Sequence, residues 1–230
     1  MTADTKRLWI EIAAVLLLGA FPVFLSNGVF SRPALEEPPP LLAHVSNPLE
    51  TPLKLTAYAL FIVCPIAAIA RSGRPPAHFG IRREPWTAVG AGLICFLLNY
   101  VTAWLVWGLY WIAGFPLGTE SIRAFHVAHA SSLGEAVSLL PWYAIVVIAE
   151  ETFARCYLLT RLREATGSAP FAIVASSFAY AAWHPHWGLA GAGHVFAGGL
   201  LFGAFFVARG GVVAPAVAHF VFDALTLLPR

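Results

Sequence analysis

Two adjacent carboxylates, Glu150 and Glu151, sit with Arg155 inside an apolar run, Ala136–Leu159. A charged side chain in hydrocarbon costs about 2.5–3.5 kcal/mol on insertion scales, so an ionisable group at that depth marks a functional site. Two more polar clusters interrupt apolar runs. His184-Pro185-His186 closes the run Ala169–Trp183, and His219 and Asp223 lie in the run Val212–Leu228. Asp223 is one of two aspartates in the chain, the other being Asp4. Helical residues four apart share a face, which pairs Glu151 with Arg155 and His219 with Asp223. Glu150 lies about 100° round the helix from Glu151 at 3.6 residues per turn, and has no local partner. A carboxylate, imidazoles and a further carboxyl on separate helices can deprotonate a water and stabilise the oxyanion its attack creates. Glu150 is the expected base. His184 is the expected partner in activating the water, ahead of its neighbour His186. The bland reading is that the same groups only tie helices together.

The elements that must position these groups follow from composition. The chain is 59% hydrophobic and 11% charged, against about 25% charged in soluble domains. That predicts an integral membrane protein of the all-α class, a polytopic helical bundle forming one membrane domain over residues 1–230. The net charge of +2, spread over short loops, excludes a nucleic-acid partner and suits membrane orientation. Cys64, Cys95 and Cys156 form no CxxC or zinc-knuckle pattern. Seven apolar spans are expected: Leu8–Leu25, Leu53–Ala70, Trp86–Phe115, Ala136–Leu159, Ala169–Trp183, Leu189–Ala208 and Val212–Leu228. The first follows Lys6-Arg7 and reads as a retained helix rather than a cleaved signal. Trp104, Trp107, Tyr110 and Trp111 read as an interfacial aromatic belt. Gly191, Gly193, Gly198, Gly199 and Gly203 would let helix backbones approach closely. With the N-terminus inside, the cytoplasmic side takes ten lysines and arginines and the outside four (Arg32, Lys54, Arg123 and Arg230), which predicts N-in and C-out.

Exclusions narrow the chemistry. No histidine is followed by glutamate, so the HExxH of a site-2-type metalloprotease is absent. No GxSG points to a rhomboid-type serine protease, and a presenilin-type mechanism needs two intramembrane aspartates. The order Glu150-Glu151…Arg155, His184, then His219…Asp223 resembles the EExxxR, FxxxH and HxxxN/D motifs of the CPBP family, also described as the CAAX prenyl protease type II or Abi group. Gly198–Gly203, Arg209-Gly210-Gly211 and Ala214–His219 resemble that family's run before its last motif. Phe79-Gly80-Ile81-Arg82 resembles a family signature near its early helices. The likeness is strong over 136–228, the expected catalytic core. Tyr180 stands where the second motif has Phe, and Asp223 where prenyl-processing members have Asn.

The resemblance implies an intramembrane glutamic endopeptidase that cuts near the terminus of a membrane-anchored protein or peptide. Glu150 and His184 would activate water, His219 and Asp223 would line the oxyanion side, and Glu151 with Arg155 would hold Glu150. No cofactor is expected. Zinc on Glu150, His184 and His219 is the less favoured form, because the chain offers no i,i+4 histidine pair. A prokaryotic inner membrane, with multiple passes, is the expected location. The competing readings are a peptide-binding immunity or scaffold protein on the same fold, and a proton-coupled transporter. No internal repeat of the transporter type supports the latter.

Overall fold

A computed structural model describes residues 3–29, 50–114, 130, 132–184 and 188–228. These residues are all-helical, with no strand. Helix α1 (Ala3–Val15) passes through a π-helical turn (Leu16–Ala20) into α2 (Phe21–Val29). Then follow α3 (Glu50–Arg71), a 3-10 turn (Pro76–Phe79) and α4 (Thr87–Ile112). Helix α5 (Leu133–Glu151) continues through a π-helical segment (Thr152–Leu159) into α6 (Thr160–Thr166), and α7 (Ala169–Ala182), α8 (Gly188–Arg209) and α9 (Val213–Thr226) complete the bundle. Among the described residues, four stretches are long and apolar enough to cross a membrane: Asp4–Leu25, Thr87–Ile112, Leu133–Thr166 and Gly188–Arg209. Large apolar side chains such as Leu97, Val101, Ile148 and Phe178 point outward. A surface of this kind suits lipid, and the chain is an integral membrane protein. On α4, Trp86 and Trp104 are exposed. They stand about 27 Å apart at 1.5 Å per residue, close to the ~30 Å hydrocarbon core. Aromatic side chains thus mark both ends of one span.

Local signals start and stop the helices near the site. Ser132 caps α5 by accepting from the Glu135 N–H at 3.2 Å. Ser168 caps α7 by accepting from Phe171 N–H at 3.3 Å, and Pro170 occupies its first turn. Gly167, at φ 68°, ends α6 in the left-handed conformation that glycine adopts without steric cost. The long helix departs from the expected span. The apolar run stops at Leu159, yet the helix continues for 34 residues from Leu133 to Thr166. Arg161 explains the extension. Its guanidinium is buried, with Nε 2.9 Å from Glu11 and Nη1 2.6 Å from Glu164. Glu164 also lies 2.6 Å from His78, and Tyr157 donates to Glu11 at 3.2 Å. These contacts fasten α1, the 76–79 turn and α6 together.

Seven consecutive residues of the π-helical segment, Phe153 to Leu159, are buried. This segment packs against α3, α7 and α8, so it forms the axis of the bundle. Phe153 stacks on Phe61 of α3 at 4.6 Å between centroids and meets Trp183 edge-on. Helix α9 lies along α4, and its start is held by the 80–84 loop. Val213 N–H donates to Glu84 at 2.9 Å, Val212 N–H to the Gly80 carbonyl at 3.2 Å, and Arg82 to the Arg209 carbonyl at 2.6 Å. The glycine expectation holds at the site end of α8. A methyl group on Gly198 would meet Asn99 Oδ1 at 2.6 Å, and one on Gly199 would meet Ser177 at 3.0 Å. The fit is also close between α4 and α9, where a Cβ on Gly92 would sit 2.7 Å from Val217 and 2.8 Å from the Ala214 carbonyl. Gly92→Ala is therefore expected to force α9 away and cost about 1–3 kcal/mol, seen as a lower unfolding midpoint in detergent.

Candidate active site

The three polar clusters converge. Glu150 and Glu151 end α5, Arg155 follows in the π-helical segment, Tyr180 lies near the end of α7 with His184 just beyond it, and His219 and Asp223 share one face of α9. His219 is the centre. Its Nδ1 lies 2.9 Å from Glu151 Oε1, and its Nε2 faces Tyr180 Oη at 3.3 Å, Asp223 Oδ2 at 3.5 Å and Glu150 Oε2 at 3.8 Å. A carboxylate accepts only, so Nδ1 carries the proton it donates to Glu151. Glu151 also meets Arg155 at 3.1 Å, the i,i+4 pairing expected from the sequence. Both side chains are essentially inaccessible, at 1% and 2% exposure, whereas Glu150 and Asp223 reach open space at 16% and 19%. The Glu151–Arg155 pair is thus enclosed, and Glu150 and Asp223 are the carboxylates on the accessible side of the cluster.

This arrangement divides the two glutamates differently from the sequence expectation. Glu151 turns to the His219 imidazole rather than to Glu150. A buried carboxylate on Nδ1 fixes the ring's orientation and tautomer, as in hydrolytic triads. Glu150 is held instead by Tyr180, whose O–H donates to Oε2 at 3.0 Å. The Arg155 guanidinium lies 4.4 Å from the Tyr180 ring centre and 5.2 Å from that of Phe202, cation–π contacts that make its burial tolerable. His184 donates from Nδ1 to the Tyr180 carbonyl at 2.9 Å, which leaves the lone pair on Nε2. Its ring packs edge-on against Tyr180, 5.1 Å between centroids, so it adjoins the cluster through that residue. His186 lies outside the described residues, as does Arg123.

Tyr180 is the member of the cluster that sequence reasoning passed over, in contact with both Glu150 and His219. The only available signal was the departure from Phe in the second motif. A third buried imidazole, His194 of α8, packs 5.2 Å from the Phe222 ring and was likewise not singled out. The π-helical stretch after Glu151 had no sequence signature either, although such insertions recur at functional sites.

The fit to zinc can be tested on the donors. His219 gives Nδ1 to Glu151, and His184 gives Nδ1 to a backbone carbonyl. Among the described residues, no group of three or more His, Cys, Asp or Glu is placed to hold a metal ion.

Residues 132–225 match the family model described as type II CAAX prenyl endopeptidase, Rce1-like. The matched stretch contains every residue of the cluster. No curated protein and no solved structure matches the chain.

Proposed function

We propose, from the match of residues 132–225 to the Rce1-like model, that the chain is a metal-free intramembrane endopeptidase in which Glu150 activates the water. The carrying observation is that Glu150, exposed at 16%, meets the α7 phenol and the α9 imidazole at one point. In this reading Glu150 takes the water's proton as its oxygen attacks the scissile carbonyl. His184, beside Tyr180, helps hold that water. His219 and Asp223 line the side where the oxyanion develops, and Glu151 with Arg155 keeps the imidazole in register. The domain is read as a single unit over 1–230 with its catalytic core in 136–228.

A membrane-anchored substrate suits the surroundings. An apolar cavity of about 240 Å³ runs between α5 and α9, lined by Val137, Leu140, Phe220, Val221 and Leu225. It lies along the two helices that carry Glu150 and His219, and would seat the apolar anchor of a protein or peptide. The prokaryotic inner membrane remains our placement, with the N-terminus inside and the C-terminus outside. A reporter fused to the C-terminus is expected to be active only on the external side, and a cytoplasmic signal would refute that orientation.

The function is tested in proteoliposomes with a farnesylated peptide ending in a CAAX box and with an acyl-anchored peptide. Cleavage of either by the intact chain, lost in Glu150→Gln, supports the reading. Equal cleavage by that variant, or biological activity independent of Glu150, would favour a binding or immunity role on the same fold.

A further inference from the structure

We propose that Tyr180 is a catalytic proton carrier linking Glu150 to His219; this rests on the hydrolase reading above. Three observations place it. The phenol oxygen touches both proton-handling groups, Glu150 Oε2 at 3.0 Å and His219 Nε2 at 3.3 Å. Those two groups stand 3.8 Å apart, so the hydroxyl offers the shorter path between them. The ring is locked by Arg155 on its face and by Trp183 and His184 at its edges, which keeps the hydroxyl in that position.

A phenol has one proton and two lone pairs. With its O–H donated to the Glu150 carboxylate, its oxygen can only accept from His219, so Nε2 carries a proton in that state. When Glu150 has taken the water's proton, the same three atoms can bond in the opposite direction: Glu150 to phenol, phenol to Nε2. Peptide hydrolysis needs such a reversal. The water oxygen forms a bond to the carbonyl carbon, the carbonyl π pair moves to oxygen, and the water's proton goes to Glu150. As the oxyanion re-forms the carbonyl, the C–N bond breaks and its electron pair stays on nitrogen. That nitrogen takes the Nε2 proton of His219. Tyr180 then hands its proton to Nε2 and takes the one on Glu150. The carboxylate, phenol and doubly protonated imidazole are restored, and the second proton of the water has gone with the new carboxyl group. No charge is left on the phenol oxygen before or after.

Among the described residues, the other groups facing this chain are bonded elsewhere. Glu151 is committed to His219 Nδ1 and Arg155, and His184 to the Tyr180 carbonyl by its Nδ1. Asp223 approaches the same Nε2 at 3.5 Å but shows no hydrogen bond to the phenol.

The test is Tyr180→Phe, which removes one oxygen and keeps the ring. Hydrolysis of the anchored peptide is expected to fall by about 10²–10³-fold in kcat, in the range for proton transfer by a positioned group. A matched substrate with an ester in place of the scissile amide should lose less than tenfold, because an alkoxide or phenoxide leaves with less need of a proton. Fluorotyrosine at this position should restore amide hydrolysis and alter its pH profile, which packing alone would not do. Equal losses on amide and ester, or a variant within threefold of the parent, would overturn the proposal while leaving Glu150 as base. A second readout needs no turnover. In protein carrying ¹⁵N-histidine, Glu150→Gln is expected to move the His219 Nε2 signal, and to move it by less than half as much when Tyr180→Phe is also present. An undiminished shift would overturn the link through the phenol. Cleavage that survives Glu150→Gln would instead sink the hydrolase reading itself.

Discussion

Glu150→Gln is expected to lower hydrolysis by about 10²–10⁴-fold, the contribution of a positioned general base, with folding unchanged. The substitution is conservative for structure. The amide oxygen can still accept the Tyr180 O–H that now reaches Oε2 at 3.0 Å. The side chain is partly open rather than sealed, so water can solvate the amide nitrogen. What is lost is the capacity to take a proton from water. Steady-state rates in proteoliposomes, read beside an unfolding midpoint in detergent, check both halves of the expectation. A large drop in midpoint would mean that Glu150 supports the fold, and the rate loss would then say nothing about chemistry.

Arg155 gives the opposite profile. Arg155→Leu is expected to destabilise the protein by about 3–5 kcal/mol, the cost of stranding one charge of a buried pair. The guanidinium is 2% exposed, pairs with Glu151 at 3.1 Å, and rests on the Tyr180 and Phe202 rings. Without it, Glu151 keeps only His219, since its Oε2 has no hydrogen-bond partner among the described residues. Removing both charges, as Glu151→Leu with Arg155→Leu, should restore much of the stability, because an apolar pair of similar volume is often neutral. It should not restore activity. His219 would then lack the carboxylate on Nδ1 that fixes its tautomer. Unfolding midpoints of the two singles and the double, followed by rates of the double, separate the two roles of the pair.

Much of this was legible in the sequence, and the reason is physical. Charges are so costly in apolar surroundings that Glu150, Glu151, Arg155, His219 and Asp223 stand out against their neighbours. Their i,i+4 pairings follow from helix geometry, and each apolar run falls on a helical stretch among the described residues. The failures have one cause each. The end of the long helix was misread because Arg161 and Glu164 look like loop charges until Glu11 and His78 are brought beside them. The partners of Glu150 and Glu151 were misassigned because the choice depends on which neighbouring helix each one faces. Tyr180 was discounted because a phenol and a benzyl ring fill nearly the same space, and only a tertiary contact tells them apart. His184 follows a helix of only 14 residues, about 21 Å at 1.5 Å per residue.

That shortness extends to α9, which also has 14 residues and carries His219. The two elements thus fall roughly 9 Å short of the ~30 Å hydrocarbon slab. Lipid answers such hydrophobic mismatch by thinning, at fractions of a kcal/mol per Å. Headgroups and the water they carry would dip toward Glu150 around these two helices, so the depth at which hydration begins is set partly by the bilayer. Under the proposed hydrolysis, the thickness of the host membrane would then set how readily water reaches Glu150.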